Sequence, residues 1–128
     1  MNRILAALCV LLILGALAIR PVQSQTTPVV SVCPGLTNRA LVSKGYQQLS
    51  VSNTALSLTV PTGSLMAFAI SEASPVRWRD DGTAPTTTVG VPQNASSTLI
   101  LCGSGVLASF QVIAITGTTN FDLSYYGF

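Results

Sequence analysis

The chain contains no histidine and only four carboxylate side chains, those of Glu72, Asp80, Asp81 and Asp122. Histidine is the commonest general base and metal ligand, so its absence excludes Ser-His-Asp and Cys-His nucleophile arrangements. A glycosidase uses two cooperating carboxylates, but adjacent Asp80 and Asp81 in an extended run point to opposite sides. No glycine-rich loop follows a strand and opens a helix, as phosphate binding would require. We therefore predict no enzymatic activity, no cofactor and no metal.

Charge is also scarce. Charged residues make up 8% of the 128 residues, against about 25% in ordinary soluble proteins. The net charge of +2 comes from Arg3 and Arg20, because after residue 24 four positive side chains balance four negative ones. A neutral body lacks the basic face that nucleic acids require, so we predict no nucleic-acid partner. Low charge instead favours a surface that is partly covered by other proteins.

The first 24 residues have the pattern of a secretory signal peptide. A short basic start is followed by an unbroken apolar run over residues 4–19, and Ser24 ends a stretch that suits signal peptidase. The alternative is an uncleaved membrane anchor, but a spanning helix needs roughly 20 apolar residues. We predict cleavage after Ser24, membrane contact only through the leader during export, and a periplasmic, extracellular or virion location. Residues 25–39 contain Pro28 and Pro34, which predict an extended arm.

Three cysteines are present, and Cys9 lies within the predicted leader. Cleavage would leave Cys33 and Cys102, an even pair in an oxidising compartment, which favours one disulfide. Such a bond would close a loop of about 70 residues, which the chain-entropy model values at about 4 kcal/mol. Two unpaired thiols are the alternative, since Cys102 lies in an apolar run and buried free cysteines are common.

Residues 40–128 predict an all-β domain. About seven short runs alternate apolar and polar residues or are apolar throughout, with turn residues between them: 44–51, 55–60, 65–72, 76–79, 98–102, 107–116 and 121–126. No run has a helical period of useful length. This spacing is typical of a single β-sandwich or jelly-roll-like domain. We expect Trp78 and Phe110 to lie in its core.

Residues 76–91 hold the chemistry-bearing side chains. Arg77 and Arg79 are predicted on the outer side of a strand, where they either contact a partner or pair with Asp80, Asp81 or Glu72. Asp-Gly at 81–82 then predicts a tight turn, since glycine supplies the positive φ that such a turn needs. A calcium site is the alternative, but it requires 6–8 oxygen ligands.

Two further candidates for interaction are Tyr125 and Tyr126 near the carboxyl end. Tyrosine is enriched at protein interfaces, so the pair is a candidate anchor for a partner. The alternative is that both are ordinary strand residues.

The run Val-Arg-Trp-Arg-Asp-Asp-Gly-Thr-Ala-Pro-Thr at residues 76–86 resembles small β-rich proteins encoded in the structural-gene regions of tailed phages and prophages. Further similar pieces are residues 45–49, 58–63, 89–90, 107–115 and 123–126. The resemblance covers roughly residues 40 to 126. It implies a virion-associated accessory protein, such as a capsid decoration or tail-associated component.

The expected function is therefore that of a non-enzymatic phage or prophage structural or accessory protein. Its expected partners are copies of itself, with a homotrimer as one form, or a larger capsid or tail assembly. The alternative is a secreted or periplasmic β-sandwich binding module for carbohydrate or a cell-surface partner.

Overall fold

The computed structural model describes residues 33–36 and 40–128. The predicted leader lies outside the described residues, as does the predicted arm except for residues 33–36. In the described part of the chain, no helix has the length and apolar character needed to cross a membrane.

Eight β-strands and one short α-helix form the described part, which confirms the predicted all-β class. The strands are β1 (Val42–Val51), β2 (Leu56–Ser57), β3 (Ser64–Ser71), β4 (Val76–Arg79), β5 (Val91–Gln93), β6 (Thr98–Cys102), β7 (Gln111–Ala114) and β8 (Thr119–Gly127). The helix, α1, spans Ser104–Ser109 between β6 and β7.

The strands form two antiparallel sheets. Sheet 1 has the order β1-β8-β3-β6, and sheet 2 has the order β2-β7-β4-β5. β1 pairs with β8, β2 with β7, β3 with β6 and β4 with β5. Each strand thus pairs with the strand at the mirror position in the sequence, as in a long hairpin wound into a double-sheet jelly roll. Of the two architectures expected, a plain sandwich or a jelly roll, the strand order is that of the jelly roll.

Alternating residues from both sheets meet in one core. On β8, Phe121, Leu123 and Tyr125 are buried and the residues between them are half-buried. Phe110 is fully buried, as predicted, and stacks on Trp78 and on Phe121 at centroid distances of 5.6 and 6.1 Å. Trp78 is half-buried and packs against the core from β4. This aromatic stack connects the two sheets.

The predicted strands at 65–72, 76–79 and 98–102 match β3, β4 and β6 to within one residue. The predicted strand at 107–116 is wrong: α1 occupies its first three residues and β7 covers only Gln111–Ala114. Leu107 is fully buried, and its amide donates to the carbonyl of Gly103 at 3.1 Å, so a helical turn carries this side chain into the core. The predicted strand at 55–60 is also too long, because only Leu56–Ser57 pairs with β7.

Cys33 and Cys102 form a disulfide, as predicted, with Cα atoms 5.5 Å apart and 69 residues apart in sequence. Cys102 is the last residue of β6, an edge strand of sheet 1. The bond therefore fixes residues 33–36 to that sheet.

Candidate functional site

The candidate site is the connection between β4 and β5, residues 80–90, which we call the β4–β5 loop. It folds over the outer face of sheet 2, where Arg77 and Arg79 project because they alternate with the inward-facing Val76 and Trp78. Most of the loop is exposed, but Pro85 is buried. The loop therefore packs on the sheet that carries it.

Arg79 and Asp81 form an ion pair at the start of the loop. Arg79 Nε donates to Asp81 Oδ1 at 3.1 Å, and Arg79 Nη2 contacts Asp81 Oδ2. The amide of Thr83 donates to the same Oδ1 at 3.0 Å. The hydrogen bond from Arg79, together with that from Thr83, lowers the pKa of Asp81 from 3.8 to about 2. Because the pair is exposed, it adds little to stability but fixes the direction of the turn.

The turn itself has the predicted backbone, since Gly82 follows Asp81 with φ of 81°. In residues 33–36 and 40–128, no group of three or more histidine, cysteine or acidic side chains is placed to hold a metal ion. Both Asp81 oxygens are instead engaged by Arg79 and the Thr83 amide.

Arg77 binds the backbone of the β4–β5 loop, and its contact with a partner stays a prediction. Its Nε donates to the carbonyl of Thr87 at 3.0 Å, and its Nη1 donates to the carbonyl of Gly90 at 2.8 Å. Gln111 of β7 adds a third bond, from Nε2 to the carbonyl of Gly82 at 3.0 Å. Two side chains of sheet 2 thus hold the backbone of the β4–β5 loop at both ends. The acceptors are backbone carbonyls, which side-chain patterns do not reveal.

Bonds inside the loop fix its middle. The Thr86 amide donates to the carbonyl of Val89, and the Val89 amide donates to Thr86 Oγ1, both at 2.9 Å. Gly90 then brings the backbone close to the sheet: a Cβ at this position would lie 3.1 Å from the carbonyl oxygen of Trp78. The exposed residues of the loop are therefore presented on a preformed backbone.

A shallow groove of about 530 Å³ lies between the loop and the connection from β1 to β2. Its lining is uncharged and mixes small apolar groups with amides and hydroxyls, from Asn53, Thr54, Ala55, Ala84, Pro85, Thr86, Thr87, Gln111 and Ile113. These groups suit a neutral polar ligand or a peptide backbone. None of these lining residues offers an aromatic ring on which a sugar would stack.

The two candidate tyrosines lie apart from the loop, and the structure corrects the placing of Tyr125. Its side chain is fully buried, and its hydroxyl donates to Gln47 Oε1 at 2.8 Å, so it is a core residue and offers nothing to a partner. Burial raises the pKa of Tyr125 to about 12. Tyr126 is half-buried on the outer face of sheet 1, where its ring meets Phe68 edge to face at 5.7 Å.

An exposed cluster that the sequence did not single out lies on the same outer face. Tyr46 is 65% exposed, and its hydroxyl donates to Asp122 Oδ1 at 2.5 Å, to which Gln48 Nε2 also donates at 2.9 Å. The hydrogen bond to Asp122 raises the pKa of Tyr46. Partial burial opposes ionisation of Asp122, but the bonds from Tyr46 and Gln48 outweigh it and lower its pKa. The alternation of β1 was the available signal, since it places Tyr46 on the outward side with Gln48.

Chemically, the site offers a held loop, a satisfied ion pair and a neutral groove. Such an arrangement suits contacts made by shape and hydrogen bonding rather than by charge. Comparison with known protein families, curated protein sequences and solved structures gives no match for this chain.

Proposed function

We propose that the protein is a non-enzymatic structural or accessory protein of a phage or prophage particle. In this proposal it is a capsid decoration or tail-associated component that acts through protein–protein contacts of the β4–β5 loop. The observation that carries the proposal is the attachment of this exposed loop to sheet 2 by Arg77 and Gln111.

A held loop supports protein binding for a thermodynamic reason. Association loses affinity when loops must be ordered at the interface, and a loop that is already fixed avoids that loss. The neutral body adds to this, because copies of the protein can crowd on an assembly with little net charge repulsion. Self-association, with a trimer as one form, belongs to the same proposal.

The fold is compatible with this role but does not select it. Jelly rolls occur in viral capsid proteins and also in lectins, and a fold alone does not determine function. The secreted binding module therefore remains the second candidate, and the uncharged groove beside the loop is the observation that favours it. The lack of an aromatic ring among the groove residues weakens a carbohydrate ligand.

Binding to particles that lack the protein tests the proposal. Particles from a host strain deleted for this gene are mixed with the labelled protein and sedimented. Val89→Asp places a charge on the β4–β5 loop, and Val42→Asp is a matched control on β1, because both valines are 51% exposed. We expect Val89→Asp to weaken binding at least about tenfold, since an unpaired charge buried in an interface costs about 2 kcal/mol or more.

Two results would count against the proposal. Equal binding by the two variants would show that the β4–β5 loop is not part of the interface. If the wild-type protein binds no particle but binds a glycan, the second candidate function, a secreted binding module, would be favoured instead.

A further inference from the structure

The outer face of sheet 1, which we call the sheet 1 face, groups three of the exposed large apolar side chains. Tyr46 on β1, Ile70 on β3 and Ile100 on β6 are 65%, 38% and 39% exposed. They alternate along their strands with inward-facing residues, so all three point away from sheet 2. Phe68 and Tyr126 lie half-buried on the two strands between β1 and β6. Grouped apolar side chains on an exposed face are typical of an interaction surface.

The strand registers arrange the sheet 1 face in rows. Two adjacent rows, each read from β1 through β8 and β3 to β6, are Tyr46, Ser124, Phe68, Ile100 and Gln48, Asp122, Ile70, Thr98. The first row has an aromatic ring at one edge of the sheet and an aliphatic side chain at the other. The half formed by β1 and β8 thus differs from the half formed by β3 and β6, and an aromatic ring packs well on an aliphatic side chain.

We propose that the sheet 1 face binds the same face of a second copy of this chain in a two-fold symmetric dimer. A two-fold axis that lies between the copies and runs along the strands places each half of the face on the other half. Tyr46 of one copy then packs on the partner's Ile100, and Ile100 packs on the partner's Tyr46. The face is therefore complementary to itself.

The same axis keeps the carboxylates of the face from opposing each other. Asp122 meets the partner's Ile70, and Glu72, which follows β3, meets the partner's Asn120. Asp122 Oδ1 already accepts hydrogen bonds from the Tyr46 hydroxyl and from Gln48 Nε2. These donors remain when water leaves the interface, which reduces the cost of burying the carboxylate. The chain after residue 24 is formally neutral, so no net charge repels a second copy.

The size of the face suits a weak dimer. Four strands about 4.8 Å apart cover about 19 Å, and the eight residues of β3 cover about 26 Å. The face therefore offers on the order of 500 Å² per copy, or about 1,000 Å² for the pair, which is the low end of specific interfaces. We expect a dissociation constant in the micromolar range, so the dimer forms where copies are concentrated.

Dimerisation through sheet 1 deepens the self-association that the proposed function includes and rests on that part of the proposal. It leaves the β4–β5 loop on sheet 2 free for a larger assembly. The two failures are distinguishable, because particle binding is measured on the loop and dimerisation on the free protein. A monomer that binds particles through the loop would overturn the dimer alone. A dimer that binds no particle would overturn only the particle role.

Sedimentation equilibrium of the exported protein, with its disulfide formed, tests the dimer from about 1 µM to about 500 µM. We expect Ile100→Asp to raise the dimer dissociation constant at least about tenfold, since the charge enters a two-fold interface twice. The control is Val91→Asp on β5 of sheet 2, where the valine is 48% exposed, and it should leave the constant unchanged. Circular dichroism verifies that each variant is folded.

A mixing experiment tests the two-fold arrangement and does not depend on the loss seen in a single variant. Tyr46→Lys and Ile100→Asp should each weaken self-association, but an equimolar mixture should associate more tightly than either alone. In the mixed dimer the introduced positive charge faces the introduced negative charge at one contact, and the other contact keeps its native pair. A protein that stays monomeric throughout the concentration range, a trimer, equal effects of Ile100→Asp and Val91→Asp, or a mixture that associates no better than its components would overturn the proposal.

Discussion

Replacement of Gly90 by alanine probes how tightly the β4–β5 loop is held to sheet 2. Gly90 has φ of 128°, a region that side chains rarely adopt. A Cβ there would lie 3.1 Å from Pro85 Cβ, 3.1 Å from the carbonyl oxygen of Trp78 and 3.3 Å from Arg77 Cβ. The Trp78 backbone cannot yield easily, because β4 is paired on both sides, with β5 and with β7.

Gly82→Ala is the matched control in the same loop. Gly82 also has positive φ, at 81°, but a Cβ there meets nothing within 4 Å. Its replacement adds backbone strain alone, which we expect to lower the free energy of unfolding by about 1–2 kcal/mol. Gly90→Ala adds strain of about 1–3 kcal/mol and overpacking of about 1–3 kcal/mol, together about 2–6 kcal/mol.

Urea unfolding followed by fluorescence of the single tryptophan measures both variants. We expect Gly90→Ala to be the more destabilising of the two. Equal losses for the two variants, or a loss below about 1 kcal/mol for Gly90→Ala, would show that the loop can lift from the sheet.

Three further predictions concern single features of the fold. Replacing Cys33 and Cys102 by serine should lower the free energy of unfolding by about 4 kcal/mol in urea titrations, because the bond closes a long loop; an unchanged midpoint would contradict this. Tyr125 has a pKa raised from 10.0 to about 12, so its stabilising effect is complete below pH 10 and is lost as pH rises through about 12. In an absorbance titration, the tyrosine ionisation at the highest pH should therefore be missing from the Tyr125→Phe variant. Asp81 has a pKa lowered from 3.8 to about 2, so its contribution is present above about pH 4 and is lost as pH falls through about 2. Arg79→Gln should move the Asp81 pKa back toward 3.8 in an NMR titration, and a pKa that stays near 2 would refute the role of Arg79.

Strand patterns predicted much of the fold because alternation is a local property. Residues 98–102 and 76–79 match β6 and β4, since short apolar or alternating runs bounded by turn residues are typical of strands. Helix α1 was missed because it lacks local helix signals. Its N-cap is Gly103 with no capping side chain, and it has no acidic residue in its first turn. The helical turn is stabilised by the burial of Leu107, and this burial depends on core residues from other strands.

The site shows the same division between local and tertiary information. The turn at Asp81-Gly82 followed from neighbouring residues in the sequence, and Asp81 was one of three carboxylates considered for Arg79. The part played by Arg77 did not, because it bonds backbone carbonyls ten and thirteen residues away. Tyr125 was misplaced as an interaction residue, although its alternation with Phe121 already pointed to the core.

Quantitative mass spectrometry of purified phage particles from the native host is the most direct test of the proposed role. We expect this protein to be present in a fixed ratio to the capsid or tail proteins, with an amino terminus at or near Gln25. Particles that lack the protein, together with a monomeric form in the exported fraction that binds no capsid or tail protein, would contradict it.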